Sequence, residues 1–89
     1  MEFVTGMVVI SSAGHVCGRW FVVTGADERY IYIADGKERK LTSPKRKNPR
    51  HIRKTGISVD ITEMTDKGLR RALNALRKQS IAEESEKLV

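Results

Sequence analysis

Three short apolar runs, each containing β-branched residues, dominate the first third of the chain: MVVI at 7–10, WFVVT at 20–24 and YIYIA at 30–34. Glycine-containing polar segments at 11–18 and 24–29 separate them. Short strands at this spacing are typical of a small antiparallel barrel or sandwich. Because none of the runs alternates cleanly between apolar and polar residues, we expect both faces of these strands to be partly covered. Phe21 and Val23 should share one face, with Trp20 and Val22 on the other.

The pattern changes after the third run. ADGK at 34–37 predicts a tight turn, from which KERKL at 37–41 would return as a charged edge strand. Pro44 and Pro49 then bracket a segment that we predict to be a loop without regular structure. Beyond it, HIR at 51–53 is a candidate for closing the barrel, and ISVDI at 57–61 alternates as a further short strand would.

The last third of the chain has the period of a helix. Leu69, Ala72, Leu73 and Leu76 fall at i, i+3, i+4 and i+7, so TDKGLRRALNALRKQ at 65–79 predicts a helix with one narrow apolar stripe. Thr65 is a suitable N-cap. The residues after 79 either continue this helix or form a frayed acidic tail. The predicted organisation is therefore a barrel over residues 1–62, followed by the helix and acidic tail over 63–89.

Charge is concentrated in one part of the chain. The formal net charge is +6, yet residues 37–54 contain nine lysines and arginines and a single acid, Glu38. The remainder of the protein is therefore slightly acidic, and the basic character belongs to one stretch. Crowded like charge of this kind indicates a polyanionic partner, nucleic acid before an anionic membrane, or else a solvated surface.

Several classes of protein are disfavoured by what the sequence contains. One cysteine cannot form an internal disulfide and suits a reducing compartment. No apolar run approaches the roughly 20 residues that span a bilayer, and the acidic start does not suit a signal peptide, so we expect a cytoplasmic protein. No nucleophile motif, paired carboxylates or phosphate-binding loop indicates an enzyme, and no cofactor is expected. His15, Cys17 and His51 lack the spacing of a zinc site.

The glycines give the sequence its most specific resemblance. Gly6, Gly14 and Gly18 frame GMVVISSAGHVCGRWFVV, which is similar to the KOW motif, a β-loop-β segment of SH3-like barrels in ribosomal proteins and NusG-type transcription factors. With YIYIADGKERKLTSPKRKNPRHI, the chain over about residues 4–54 resembles the bacterial stand-alone KOW-domain RNA-binding proteins. These in turn resemble archaeal and eukaryotic large-subunit ribosomal proteins of the fourteen-e kind. At position 17, where such motifs often carry a polar or basic residue, this chain has cysteine.

The resemblance implies a mostly β fold, a small SH3-like barrel of about five strands, here followed by a C-terminal α-helix. It also implies a non-enzymatic protein that binds structured RNA, ribosomal RNA above all, and that serves translation. Gly6, Gly14, Gly18 and Gly36 would be structural turn residues. The predicted RNA-binding residues are those of the basic stretch together with one arginine of the glycine turn: Arg19, Lys37, Arg39, Lys40, Lys45, Arg46, Lys47, Arg50, His51, Arg53 and Lys54.

Some alternatives stay open at the level of sequence. Barrels of the NusG kind also dock on polymerase or ribosomal proteins, which makes a protein-interaction module of the transcription or translation machinery the competing hypothesis. Trp20 and Tyr30 or Tyr32 could form a base-stacking platform, although aromatic residues in so small a barrel belong more often to the core. The helix could dock a partner, but packing on its own barrel is the simpler interpretation. We expect a monomer when the protein is free.

Overall fold

The chain folds into a five-stranded antiparallel sheet followed by one long helix, as seen in a computed structural model that describes residues 3–87, without the side chains of Val16 and residues 81–87. The strands are β1 (Met7–Ser11), β2 (Trp20–Ala26), β3 (Ile31–Ala34), β4 (Lys45–Lys47) and β5 (Ile52–Ser58), and the helix is α1 (Asp66–Lys87). Short 3-10 turns lie at Gly14–Val16 and Pro49–His51. The predicted class, mostly β with a C-terminal helix, is confirmed.

The strand register sorts the apolar side chains onto two faces of the sheet. Val8 pairs with Val22, and Val22 pairs with Ala34, so these three residues share one face. Leu69 and Leu73 of α1 pack against that face, and all five are nearly or completely buried. The predicted apolar stripe of the helix therefore covers the face of the sheet that carries Trp20 and Val22.

The opposite face is buried without a helix. Its core consists of Val9, Phe21, Val23, Ile31 and Ile33, each at most 1% exposed. Since no helix covers these residues, the sheet must curl around them. This cluster and the cluster under the helix give β1, β2 and β3 two covered faces, as the absence of clean alternation in the three apolar runs predicted.

The strand order β4-β3-β2-β1-β5 shows how far the curling goes. In a flat sheet the two outer strands would lie roughly 19 Å apart, at about 4.8 Å per strand spacing. The chain crosses from Lys47 to Ile52 with only four intervening residues, three of them in a compact 3-10 turn. The sheet therefore curls until β4 and β5 approach each other, but these strands do not pair, so it remains an open sheet and not a closed barrel.

The N-terminus of α1 is fixed by side-chain hydrogen bonds. The Thr65 hydroxyl accepts a hydrogen bond from the Gly68 amide at 3.0 Å, which confirms the predicted N-cap. The Asp66 carboxylate accepts one from the Leu41 amide at 2.8 Å and so ties the helix to the β3–β4 connection. The helix then continues to Lys87, so of the two alternatives for the residues after 79 the structure shows a continued helix.

Two local predictions after β3 were wrong. KERKL is not a strand, because the Asp35 carboxylate accepts hydrogen bonds from the Lys37 and Arg39 amides at 2.9 Å and holds these residues in a local turn. The segment between the prolines is not wholly irregular, because Lys45–Lys47 forms β4. A three-residue strand paired on one side only is an edge strand, where neighbouring prolines are tolerated.

Two further segments were predicted separately but form a single strand. Ile52 and Arg53 of HIR and the start of ISVDI belong to β5, which pairs with β1 and not with β4, while His51 ends the preceding 3-10 turn. Gly56 lies in the middle of β5 with φ of +81°, opposite a shift in the register between Met7 and Val9. A glycine that permits positive φ lets the strand accommodate this bulge without ending.

Candidate nucleic-acid interface

The basic residues of β4 and of the 3-10 turn after it lie where the curled sheet fails to close. We call this region the seam and define it as Lys45, Arg46, Lys47, Arg50 and His51, from β4 and the 3-10 turn that crosses to β5. The turn begins with Asn48, whose side-chain oxygen accepts a hydrogen bond from the Arg50 amide at 3.0 Å, and with Pro49, which suits the first position of a helical turn. The Asn48 cap and Pro49 both fix the backbone conformation of the segment that carries the cations.

The glycine turn between β1 and β2 is tied to the seam. The Ser12 amide donates to the His51 carbonyl at 2.8 Å. The Lys47 ammonium donates to the Ala13 carbonyl at 3.3 Å. Lys47 therefore has a structural partner, and the seam and the predicted KOW-like turn form one continuous surface.

The Arg46 side chain packs on the ring of Tyr30, the residue directly before β3. Its guanidinium carbon lies 4.7 Å from the centroid of the Tyr30 ring, a cation–π contact. Tyr30 and Tyr32 are half-buried and point away from Ile31 and Ile33, so they are not core residues. Of the aromatic residues considered for base stacking, these two therefore lie beside a seam cation.

Asp27 orders the tyrosine side of this surface. Its carboxylate accepts hydrogen bonds from the Arg29 and Tyr30 amides at 2.9 and 2.7 Å, and from the Tyr32 hydroxyl at 2.8 Å. The backbone hydrogen bonds are the main reason that the pKa of Asp27 lies below its ordinary value. The hydrogen bond that the Tyr32 hydroxyl donates to this carboxylate raises the pKa of Tyr32, because it stabilises the protonated phenol.

Three cations of the basic stretch, one on each of β4, the 3-10 turn and β5, are available to an anion. Lys45, Arg50 and Arg53 make no side-chain hydrogen bond or ion pair with any residue that the structure describes. Lys54 differs, since its ammonium lies 4.9 Å from the centroid of the Phe3 ring. An exposed guanidinium without a protein partner keeps all its donors for phosphate oxygens.

The earlier part of the basic stretch lies elsewhere. Lys37, Arg39 and Lys40 are exposed in the β3–β4 connection, near the start of α1. Arg19, the predicted contact of the glycine turn, is already paired: its two terminal nitrogens lie 2.5 and 3.1 Å from the Glu38 carboxylate oxygens. This pair raises the pKa of Arg19 and lowers that of Glu38. The stretch that is continuous in sequence is thus divided between two surfaces.

A second basic surface contains helix residues that lie outside the predicted set of RNA-binding residues. A cleft of roughly 340 Å³ separates α1 from the start of β2 and from the turn after β3. Beside Arg19 and Lys37, its lining includes Trp20 and, from the helix, Arg70, Asn74 and Arg77. Positions 70, 74 and 77 have helical spacing and form a polar stripe beside the Leu69–Leu73 stripe. This spacing is visible in the sequence and indicates that the three side chains lie together.

The four predicted turn glycines, Gly6, Gly14, Gly18 and Gly36, all have positive φ, between 78° and 95°. At Gly36 space is restricted as well, since a β-carbon there would overlap the Asp66 carbonyl oxygen. The turn after β3 and the first turn of α1 are consequently in direct backbone contact, which fixes the geometry of the cleft.

Two kinds of site are not found in the described part of the chain. Among residues 3–87, apart from the side chains that are not described, no group of three or more His, Cys, Asp or Glu could hold a metal ion. Within the same limits, no helix has the length and apolar character needed to cross a membrane.

Sequence comparison with protein families and with curated proteins gives no relative for this chain. Neither a protein-family model nor a curated protein sequence matches it. The resemblance to KOW-domain proteins therefore stays a prediction, and the function has to be argued from the seam and the cleft themselves.

Proposed function

We propose that this protein is a non-enzymatic, cytoplasmic RNA-binding protein whose seam contacts the phosphate backbone of folded RNA, with ribosomal RNA of the large subunit as its target. The observation that carries the proposal is the seam itself. Here β4 and a capped 3-10 turn present cations that form no salt bridge with any described residue. The KOW-like sequence pattern supports the same function.

The seam would act by charge and shape and not by reading bases. Double-stranded RNA is recognised mainly through its backbone, because its major groove is too deep and narrow for side chains. Lys45 and Arg50 would neutralise phosphates, and Arg46 would do so from a position held by Tyr30. Binding releases the counterions that otherwise accompany both surfaces, which explains why so many cations can be crowded here.

The proposal is tested by removing seam charge without disturbing the fold. We expect the triple variant Lys45→Gln, Arg46→Gln, Arg50→Gln to bind a fluorescently labelled RNA hairpin at least tenfold more weakly at moderate salt. The slope of log affinity against log salt should fall by about one for each phosphate that is no longer neutralised. Lys47 is left intact because it holds the Ala13 carbonyl. Fluorescence anisotropy over a salt series measures both quantities.

A matched control removes the same amount of charge from the exposed side of the helix. Lys67, Arg71 and Lys78 are exposed, and none of them lines the cleft. The variant with all three changed to glutamine should keep most of the affinity, and both variants should unfold at nearly the wild-type temperature. Equal affinity in the two triple variants would overturn the proposal.

The same two variants test the ribosomal target. Tagged wild-type protein in cell lysate should sediment with large subunits in sucrose gradients at moderate salt, and the seam variant should remain at the top of the gradient. If the wild-type protein also stayed at the top, the target would be another RNA or, as in the competing hypothesis, a protein partner.

A further inference from the structure

The cleft beside α1 has the charge of an anion-binding site. Its lining contains four cations, Arg19, Lys37, Arg70 and Arg77, and one acid, Asp35. The Asp35 carboxylate already accepts two backbone hydrogen bonds from its own turn, and Arg19 is paired with Glu38. Lys37, Arg70 and Arg77 have no side-chain hydrogen bond or ion pair with any described residue. Their combined charge is therefore available to a ligand.

The cleft also contains an aromatic side chain and a carboxamide. Trp20 is half-buried against the core under the helix and forms part of the cleft wall, beside Leu73. Asn74 is exposed at the same place and has both a donor and an acceptor. Guanidinium groups, an indole ring and a carboxamide around one cleft match a phosphate, a nucleobase face and a nucleobase edge.

The size of the cleft limits what can enter. At roughly 340 Å³ it is at the lower end of ligand-binding pockets, which suits a single nucleotide and excludes a double helix. Trp20 also lines a second hollow of about 510 Å³, which includes Arg53 of β5 and Gln79 of α1. A strand whose nucleotide occupies the cleft would thus meet further donors on leaving it.

We propose that this cleft binds one unpaired nucleotide of an RNA strand, with its base against Trp20 and its phosphate on Arg70 and Arg77. The inference rests on the proposed function and adds a second mode of contact to it. The seam holds folded RNA by its backbone, and the cleft takes up a nucleotide that has left the stack. A free mononucleotide has the same chemistry, but the hollow that adjoins the cleft at Trp20 offers Arg53 and Gln79 to the next part of a strand, which favours a nucleotide within a strand.

Trp20 provides the readout, because it is the only tryptophan of the chain. A single-stranded RNA hexamer should quench its emission on stacking. A hexamer of abasic sites with the same number of phosphates should bind without quenching, and adenosine monophosphate should bind at least tenfold more weakly than the hexamer. Quenching by the abasic strand would contradict stacking of a base on Trp20. Equal affinity for adenosine monophosphate and for the hexamer would contradict the claim that the bound nucleotide is part of a strand.

The proposed contact of the phosphate with Arg70 and Arg77 is tested with two matched double variants. Arg70→Gln with Arg77→Gln should weaken hexamer binding about tenfold, whereas Arg71→Gln with Lys78→Gln, which removes an equal charge outside the cleft, should change it less than threefold. Trp20→Phe keeps an aromatic ring in the wall and, followed by anisotropy, should retain binding better than Trp20→Ala. Equal effects of the two double variants would overturn the inference.

The experiments distinguish a wrong inference about the cleft from a wrong proposal for the function of the protein. If the hairpin binds through the seam but Trp20 emission does not respond and the two double variants behave alike, the cleft inference is wrong and the function stands. If neither hairpin nor hexamer binds in a salt-dependent way, the proposed function is wrong and the cleft inference falls with it.

Discussion

The seam and the cleft are both basic surfaces, but they are built in different ways. The seam comes from one short segment, residues 45–51, and stands on backbone held by Asn48, Pro49 and the glycine turn. The cleft is assembled from positions near 20, 36 and 74, and exists only while α1 lies on the sheet. A charge cluster formed by one continuous segment, as in the seam, is visible in the sequence. A cluster assembled from distant positions, as in the cleft, depends on how the helix packs on the sheet. The two surfaces should therefore respond differently to changes in the core.

The largest effect is expected from removing the anchor of the helix. Leu69 is fully buried against Val8, Val22 and Ala34. Leu69→Ala should lower the free energy of unfolding by about 2–5 kcal/mol, through reduced burial and the cavity left behind. Because the helix forms one wall of the cleft, hexamer binding should weaken in the folded protein, whereas hairpin binding at the seam should persist. Urea unfolding and anisotropy measure the two effects.

Leu76→Ala is the control for that prediction, since Leu76 belongs to the same stripe but is only half-buried. It should cost less than half as much stability as Leu69→Ala, because less apolar surface is removed from the core. An equal decrease in stability at both positions would mean that the helix is not held by the packing of Leu69.

A smaller effect, of about 2–4 kcal/mol, is expected at the junction of the β3 turn and the helix. Gly36→Ala forces a side chain into positive φ and against the Asp66 carbonyl, so the start of α1 must shift. Gly18→Ala has the same φ problem, at +85°, but no atom within 4 Å of the new carbon, and should cost only about 1 kcal/mol. Thermal unfolding compares the two. A cost at Gly18 equal to that at Gly36 would show that the close approach to the helix is unimportant.

Sequence periodicity and local side-chain chemistry predicted much of the sheet and the start of the helix. The three apolar runs became β1, β2 and β3, and Thr65 caps α1, because these features depend on neighbouring residues. The turn at 34–37 was predicted, but the charged run after it has no apolar pattern that would show whether the Asp35 turn extends to Arg39 or gives way to a strand. Short-range patterns also could not show that the segment between the prolines would pair with β3, since a three-residue edge strand depends on its partner.

The candidate site was predictable to a similar extent. The seam residues are a charge run, and each could be named from the sequence. The pairing of Arg19 with Glu38 and the grouping of Trp20 with Arg70 and Arg77 depend on the docking of the helix and on the course of the turn after β3. Such contacts link residues about 20 to 60 positions apart, where periodicity carries no information.

The central claim, that the seam is the RNA-contacting surface, is tested most directly by mapping amide chemical shifts during titration with an RNA hairpin. A uniformly ¹⁵N-labelled sample of this 10.0 kDa chain is well suited to the measurement. We expect the largest shifts to fall on residues 45–48, 50 and 51, while amides near Lys67 and Arg71 on the exposed side of the helix change little. Largest shifts on that side of the helix, with the seam amides unmoved, would contradict the claim.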